Sequence, residues 1–313
     1  MKLAVVFNGQ GAHYKEMGLD FFSHFSQARH ILQIAQEQMG VNLIEWIHQS
    51  PESFDETKYA QPAIAAVSLA IYESIQSQLP PISYMAGLSL GEYSALIASG
   101  YLAFQEGIAL LIQRGQLMSD FCQQLNSTTP TQMVAVRGMD YQTLEEILDS
   151  AQLENVWIAN INSSQQIIVG GVIEEVRQLD QHLKEKGHRR LIPLKVEGPF
   201  HTPFMAPIRS AYAQILKNTS FHEGNIPVIS NTTVKEHQLS TIRETLVDHL
   251  SQPVRWQETV DYLIKEGVTH LIQLGPGSTL VNLLRRERVP FKFMAVETVA
   301  DVEKIQAFVK EKN

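Results

Sequence analysis

The chain has 313 residues, 44% of them hydrophobic and 19% charged, with a formal net charge of −8 at pH 7. That is globular composition, long enough for one large domain or a domain with an insert, and its acidic balance argues against non-specific binding to nucleic acid or anionic membranes. The single cysteine, Cys122, excludes an intramolecular disulfide and a cysteine-built metal cluster, and points to a reducing compartment.

The first apolar run, residues 3–7, stops at Asn8-Gly9, too short for the hydrophobic region of a signal peptide. No run approaches the length of a membrane span, so a cytoplasmic protein is expected. Residues 3–7 read as a buried strand opening into Asn8-Gly9-Gln10-Gly11. Two glycines around a polar residue suit either a backbone loop lying close to a ligand or a plain strand-to-helix turn. The glycine fingerprint of a dinucleotide site does not follow. Residues 16–39 read as mixed helical, with Phe21, Phe22 and Phe25 on one side. Gln61-Pro62-Ala63 opens a helix to about residue 78, with proline in its first turn. It is nearly apolar all round, so it should lie buried.

Next comes Gly87-Leu88-Ser89-Leu90-Gly91-Glu92-Tyr93, a G-x-S-x-G pattern. Residues 82–86 before it read as a strand, and 92–98 after it as a helix that stops at Gly100. Strand, sharp turn, helix is the context that makes this pattern a nucleophile elbow. The serine sits at the tip beside free backbone N–H groups, Leu90's foremost, which can stabilise an oxyanion. Residues 104–121 read as a second buried helix in which Arg114 is anomalous, with Leu110, Leu117, Met118 and Phe121 around it. A guanidinium in such company needs an anion, supplied either by a structural partner such as Glu92 or by a bound ligand.

Residues 133–196 have their own rhythm. Strand 134–136, helix 141–151, strands 156–161 and 166–169, helix 173–186 and strand 190–196 give the order βαββαβ of a ferredoxin-like unit. Residues 126–130 are a linker by composition. The expected organisation is an inserted ferredoxin-like subdomain at 127–196, with 1–126 and 197–313 forming one large catalytic domain. The loop Glu197-Gly198-Pro199-Phe200-His201-Thr202-Pro203 is rigid, and His201 is a candidate for the base that a serine nucleophile requires. The remainder alternates: strand 226–230, helices 242–251 and 257–266, strand 270–274 into Gly275-Pro276-Gly277, helix 280–286, strand 291–296 and helix 302–310. Such alternation implies a parallel sheet covered on both faces, with binding at the carboxyl ends of its strands. The turns at 8–11, 87–91 and 275–277 would then share one end.

Taken together, Gly9-Gln10-Gly11, Gln61-Pro62-Ala63, the elbow, Arg114-Gly115, Asn160-Ile161-Asn162-Ser163, Gly198-Pro199-Phe200-His201, Pro253-Val254-Arg255-Trp256 and Gly275-Pro276-Gly277 resemble the malonyl-CoA:acyl carrier protein transacylases of bacterial fatty-acid synthesis and the related acyltransferases of polyketide synthases. The resemblance covers nearly the whole chain. It implies an α/β fold, a hydrolase-like parallel-sheet domain with a ferredoxin-like βαββαβ insert. It implies Ser89 as the acylated nucleophile, His201 as its base, and the Gln10 and Leu90 N–H groups as the oxyanion hole. Arg114 would clamp the malonyl carboxylate, with Phe200, Asn160 and Asn162 also binding substrate, and the His249 carbonyl would orient the base. The CoA thioester is then a substrate, with no cofactor and no metal. The partners are malonyl-CoA and an acyl carrier protein, without nucleic acid or membrane, and a monomer is expected. The chain departs from the family pattern at Asn8, Leu88, His249 and Ser278, where proline or a small residue, histidine, glutamine and lysine are usual. A serine hydrolase on the same scaffold, a trans-acting polyketide acyltransferase and a non-catalytic synthase partner are the competing readings.

Overall fold

A computed structural model describes residues 1–50, 52–188 and 191–310. Among these, eight strands form two four-stranded sheets: β1 (Leu3–Phe7), β2 (Ile82–Gly87), β3 (Thr131–Arg137), β4 (Val156–Ser163), β5 (Gln166–Val172), β6 (Ile192–Pro193), β7 (His270–Leu274) and β8 (Lys292–Val296). The first sheet has the order β2-β1-β7-β8 and is parallel throughout. Every residue of β1 is buried. Leu3, Val5 and Phe7 face one core, under the helices Ser26–Met39, Thr57–Ile75 and Phe104–Thr128. Ala4 and Val6 face the other, under Trp256–Lys265 and Thr279–Leu284. A parallel strand with apolar side chains on both faces needs both covered, which is why β1 sits centrally.

The register aligns Phe7 with Gly87 and with Leu274, so β1, β2 and β7 end together. Their three following turns share one end of the sheet, as the alternation predicts. Asn8 ties two of them: its Nδ2 donates to the carbonyls of Pro276 (2.6 Å) and Gly277 (3.0 Å).

The second sheet is antiparallel in the order β4-β5-β3-β6, the ferredoxin-like arrangement. One face packs Val134, Val136, Ile167 and Val169 against the helices Tyr141–Ser150 and Ile173–Glu185. The other turns Met133, Ala135 and Ile168 toward the large domain.

Several elements depart from the sequence-based expectation. The helix expected from residue 61 begins at Thr57, so Pro62 lies inside it. The Glu197 carboxylate accepts the Thr57 N–H at 2.5 Å and supplies a cap that the local sequence lacks. The stretch 16–39 is two helices, Leu19–His24 and Ser26–Met39, broken at an extended Phe25. Residues 126–128 are not linker but the last turn of Phe104–Thr128. Of the strand expected at 190–196, Arg190 lies outside the described residues, and the strand itself is Ile192–Pro193, with the Leu194 N–H still reaching the Met133 carbonyl at 2.9 Å. Residues 226–230 form no strand: Val228 makes an isolated bridge with Met85, whose N–H donates to the Pro227 carbonyl at 2.8 Å.

Candidate active site

The elbow forms where β2 runs into the helix Leu90–Ala98. Ser89 adopts φ 52°, ψ −102°, a region that side-chain-bearing residues rarely enter. The glycines make it possible. A Cβ on Gly87 would strike the Gly91 carbonyl, and one on Gly91 would strike the Phe7 carbonyl. On the facing turn, a Cβ on Gly9 would sit 2.5 Å from the Leu88 oxygen, so the Asn8–Gly11 backbone lies directly against the elbow. The Ser89 N–H is taken by Asn231 Oδ1 at 2.7 Å. Neither the Gln10 nor the Leu90 N–H meets an acceptor among the described residues, so both stay available beside Ser89.

His201 reaches Ser89 from the loop after β6. Its Nε2 lies 2.6 Å from Ser89 Oγ, and its Nδ1 lies 2.8 Å from the His249 carbonyl. A carbonyl only accepts, so the ring proton sits on Nδ1 and Nε2 is bare toward the hydroxyl. Burial, and then the positive charge of Arg114, bring the His201 pKa from 6.5 down to about 3, against the opposing pull of the His249 and Gln252 carbonyls. The imidazole is therefore neutral and able to take a proton. Burial also pushes the His249 ring well below the usual histidine range.

Arg114 projects from the long helix Phe104–Thr128 and is 1% exposed. Its Nη1 donates to Gln61 Oε1 at 2.7 Å, and its guanidinium lies 4.8 Å from the Tyr93 ring centroid. Nε and Nη2 are buried with no hydrogen-bond partner, and no carboxylate pairs with Arg114 among the described residues. Glu92 is not its counter-ion. That carboxylate holds His237 Nε2 at 2.8 Å and the Asn231 N–H at 2.7 Å. Two orphan donors on a buried cation are costly, and a planar carboxylate would satisfy both.

The predicted residues converge on one cleft of about 290 Å³ between the sheet ends and the insert. Gln10, Ser89, Asn160, Asn162, Phe200 and His201 line it. Leu90, Arg114 and His249 stand behind its wall, buried. Asn162 Nδ2 reaches Gln166 Oε1 at 3.2 Å and leaves Oδ1 unpartnered, while Asn160 bridges to Val254 and fixes the insert to the large domain. Gln61, Met118, Arg137 and Gln166 also line the cleft, and sequence reasoning does not single them out. Gln61 is visible in the sequence as a helix opener and within a motif of the family resemblance, without a role in the site, and the others carry no motif. The arginines 285, 286 and 288 are exposed just after the helix Thr279–Leu284.

A serine at an elbow, a neutral histidine within hydrogen-bond reach and two free N–H groups define an acyl-transfer site. The family described as the acyl transferase domain matches residues 4–303, and the chain belongs to that family. It is 33% identical to the malonyl CoA-acyl carrier protein transacylase of Bacillus subtilis (strain 168), over 100% of this chain and 98% of that one. Among solved structures, a malonyl-transacylase bound to its type II polyketide synthase acyl-carrier protein superposes with TM-score 0.91 at 32% identity, over 97% of this chain and 99% of that one. The Streptococcus pneumoniae MCAT superposes with TM-score 0.88 at 35% identity, over 97% of this chain and 100% of that one. No helix of the described residues is long and apolar enough to cross a membrane.

Proposed function

We propose that this chain moves a malonyl group from malonyl-CoA to the phosphopantetheine thiol of an acyl carrier protein, through a malonyl ester on Ser89. The observation that carries the reading is the Arg114 guanidinium, buried behind the Ser89–His201 pair with two donors unmet. The malonyl carboxylate satisfies those donors and brings the thioester carbonyl to Ser89. His201 Nε2 takes the serine proton as Oγ attacks the carbonyl carbon. The resulting oxyanion is held by the Gln10 and Leu90 N–H groups. Collapse breaks the carbon–sulfur bond, and the CoA sulfur leaves with the proton from Nε2. In the second half-reaction the carrier thiol gives its proton to Nε2 and attacks the ester carbonyl, and Ser89 Oγ recovers that proton as it leaves. The kinetics are ping-pong. The His249 carbonyl keeps the His201 ring in register throughout. Phe200, Asn160 and Asn162 shape the acyl and thioester ends of the cleft, Phe200 disfavouring a methyl branch by about 1–3 kcal/mol. Every step uses groups of this chain, and CoA enters only as substrate.

The same reading places the insert at 127–196 as a wall over the cleft, the protein in the cytoplasm as a monomer, and the reaction in fatty-acid synthesis. Full-length similarity to a Bacillus subtilis transacylase supports it. The test is intact-protein mass spectrometry after malonyl-CoA, then after holo carrier protein. A malonyl adduct on Ser89 that moves to the carrier is the expected result. Release of CoA and free malonate with the carrier unloaded would make the enzyme a hydrolase.

A further inference from the structure

The strained turn at Ser89 is held by a residue that belongs to none of the sequence motifs. Asn231 is fully buried, 142 residues beyond the nucleophile. Its Oδ1 accepts the Ser89 N–H at 2.7 Å, and its Nδ2 donates to the Gly87 carbonyl at 2.7 Å. A backbone N–H can only donate and a carbonyl only accept, so the orientation of this amide is fixed by its partners. Its own backbone is held as firmly: its N–H goes to Glu92 Oε2 at 2.7 Å, and its carbonyl takes the Arg255 N–H at 3.0 Å. Glu92 is anchored in turn by His237 Nε2 at 2.8 Å.

We propose that Asn231 is the positioning residue of the nucleophile. Its side-chain amide spans the elbow from Gly87 to Ser89 and locks the positive-φ conformation that aims Oγ at His201. It also removes the Ser89 N–H from the face of the site and leaves the Gln10 and Leu90 donors to meet an oxyanion. Among side chains of this reach, the amide carries one acceptor and one donor on a common plane without first having to bind a proton. Alanine strands both the Ser89 N–H and the Gly87 carbonyl in the interior. Aspartate keeps the first bond, but when ionised it sets a carboxylate oxygen against the Gly87 carbonyl. The buried chain His237–Glu92–Asn231–Ser89 thus explains why a carboxylate is kept inside the fold at Glu92, where it aligns the amide that aligns the nucleophile.

The inference rests on Ser89 being the acylated residue, and the test separates the two. In Asn231→Ala the acylation of Ser89 should slow about 10²-fold, with KM for malonyl-CoA within about threefold, because a displaced but intact nucleophile loses rate rather than affinity. Transfer to the carrier should slow by a similar factor. In Asn231→Asp the new carboxyl lies between the Ser89 N–H and the Gly87 carbonyl, while Glu92 holds the main-chain N–H of the same residue and has His237 and His249 on its other sides. Burial and the neighbouring charge then favour its protonated form, which can donate to Gly87 again. Its rate relative to wild type should therefore climb as pH falls from about 8 to about 6, while the alanine variant keeps a constant ratio. A wild-type acylation rate in Asn231→Ala overturns the proposal, and so does a raised KM at unchanged kcat. If the alanine variant does not fold, Asn231→Asp preserves the volume and carries the test. A pH-independent ratio there overturns it equally. A wild-type chain that acquires no malonyl group on Ser89 sinks the nucleophile assignment instead.

Discussion

The two walls of the cleft are built differently. On the sheet side each reacting or binding group is anchored by at least one hydrogen bond. Ser89 is tied through Asn231, His201 through the His249 carbonyl, Arg114 through Gln61, and the Asn8–Gly11 turn through Pro276 and Gly277. On the insert side the lining is mostly apolar, with Met133, Ala135, Ile168, Ile192 and Leu194, and its edge strand is two residues long. Ile192 stands 40% exposed at the margin. The first wall ties the reacting atoms to one another through hydrogen bonds of 2.6–2.8 Å. The second sets those apolar side chains beside Arg137, Asn160, Asn162 and Gln166. Rate should therefore be sensitive to single atoms on the sheet side and tolerant on the insert side.

The sharpest way to break that contrast is Ser89→Ala, which should lower acylation by at least about 10⁴-fold with no adduct by mass spectrometry. A covalent adduct elsewhere would move the chemistry off the elbow. His201→Ala should slow both half-reactions by about 10²–10⁴-fold in single-turnover kinetics. Arg114→Ala should cost malonyl transfer about 10²-fold or more while acetyl transfer changes less than tenfold, since breaking a buried ion pair costs about 3–5 kcal/mol. Equal losses on both substrates would make Arg114 structural.

The pH dependence follows from the same wall. His201 is held at about 3 in the folded chain, against its ordinary 6.5. Between those values the unfolded chain binds a proton that the folded one refuses. Stability is thus fully present above about 6.5 and is lost as pH falls toward about 3. The buried His249 acts in the same direction. Thermal midpoints should decline on acidification, while kcat/KM shows no acid limb near 6.5. Arg114→Ala removes the second cause of the depression and should move that limb upward. The smallest effect is expected on the other wall. Ile192→Ser should change stability by no more than about 0.5 kcal/mol and KM by less than about threefold.

The sequence discloses what is encoded locally. The elbow is legible because two glycines and a serine must lie within five residues for its turn to close. The βαββαβ order is legible because each element carries its own period. Arg114 stands out because a cation among leucines breaks the pattern, yet only the fold shows Glu92 occupied by His237 and Asn231 rather than pairing with it. What is hidden depends on distant partners. The helix start at Thr57 is capped by Glu197, 140 residues away. Asn231 acts across 142 residues, through an amide that no spacing rule connects to Ser89. His249 contributes a main-chain oxygen, which any residue would offer, so only the family resemblance points to it.

Glu197 has a consequence for building hybrids of this enzyme. It sits where the chain leaves the insert, and its carboxylate takes the Ser119 hydroxyl (2.7 Å) and the Thr57 N–H (2.5 Å), while its carbonyl takes Asn126 Nδ2 (2.7 Å). Ser119 and Asn126 belong to the same helix as Arg114, which runs on to Thr128 just before β3 begins. The seam is thus closed within the large domain, and Asn126 alone of these residues also reaches into the insert, its Oδ1 accepting the Thr131 N–H at 2.8 Å. A chimera spliced at 127 and 196 would keep Thr57, Ser119, Asn126 and Glu197 in one parent, and its cost falls on the last turn of the helix and on the Asn126–Thr131 contact. Grafts cut at Phe104, carrying the whole helix together with residues through Glu197, would keep the helix and the Thr131 contact intact but would divide the Glu197–Thr57 bond between parents.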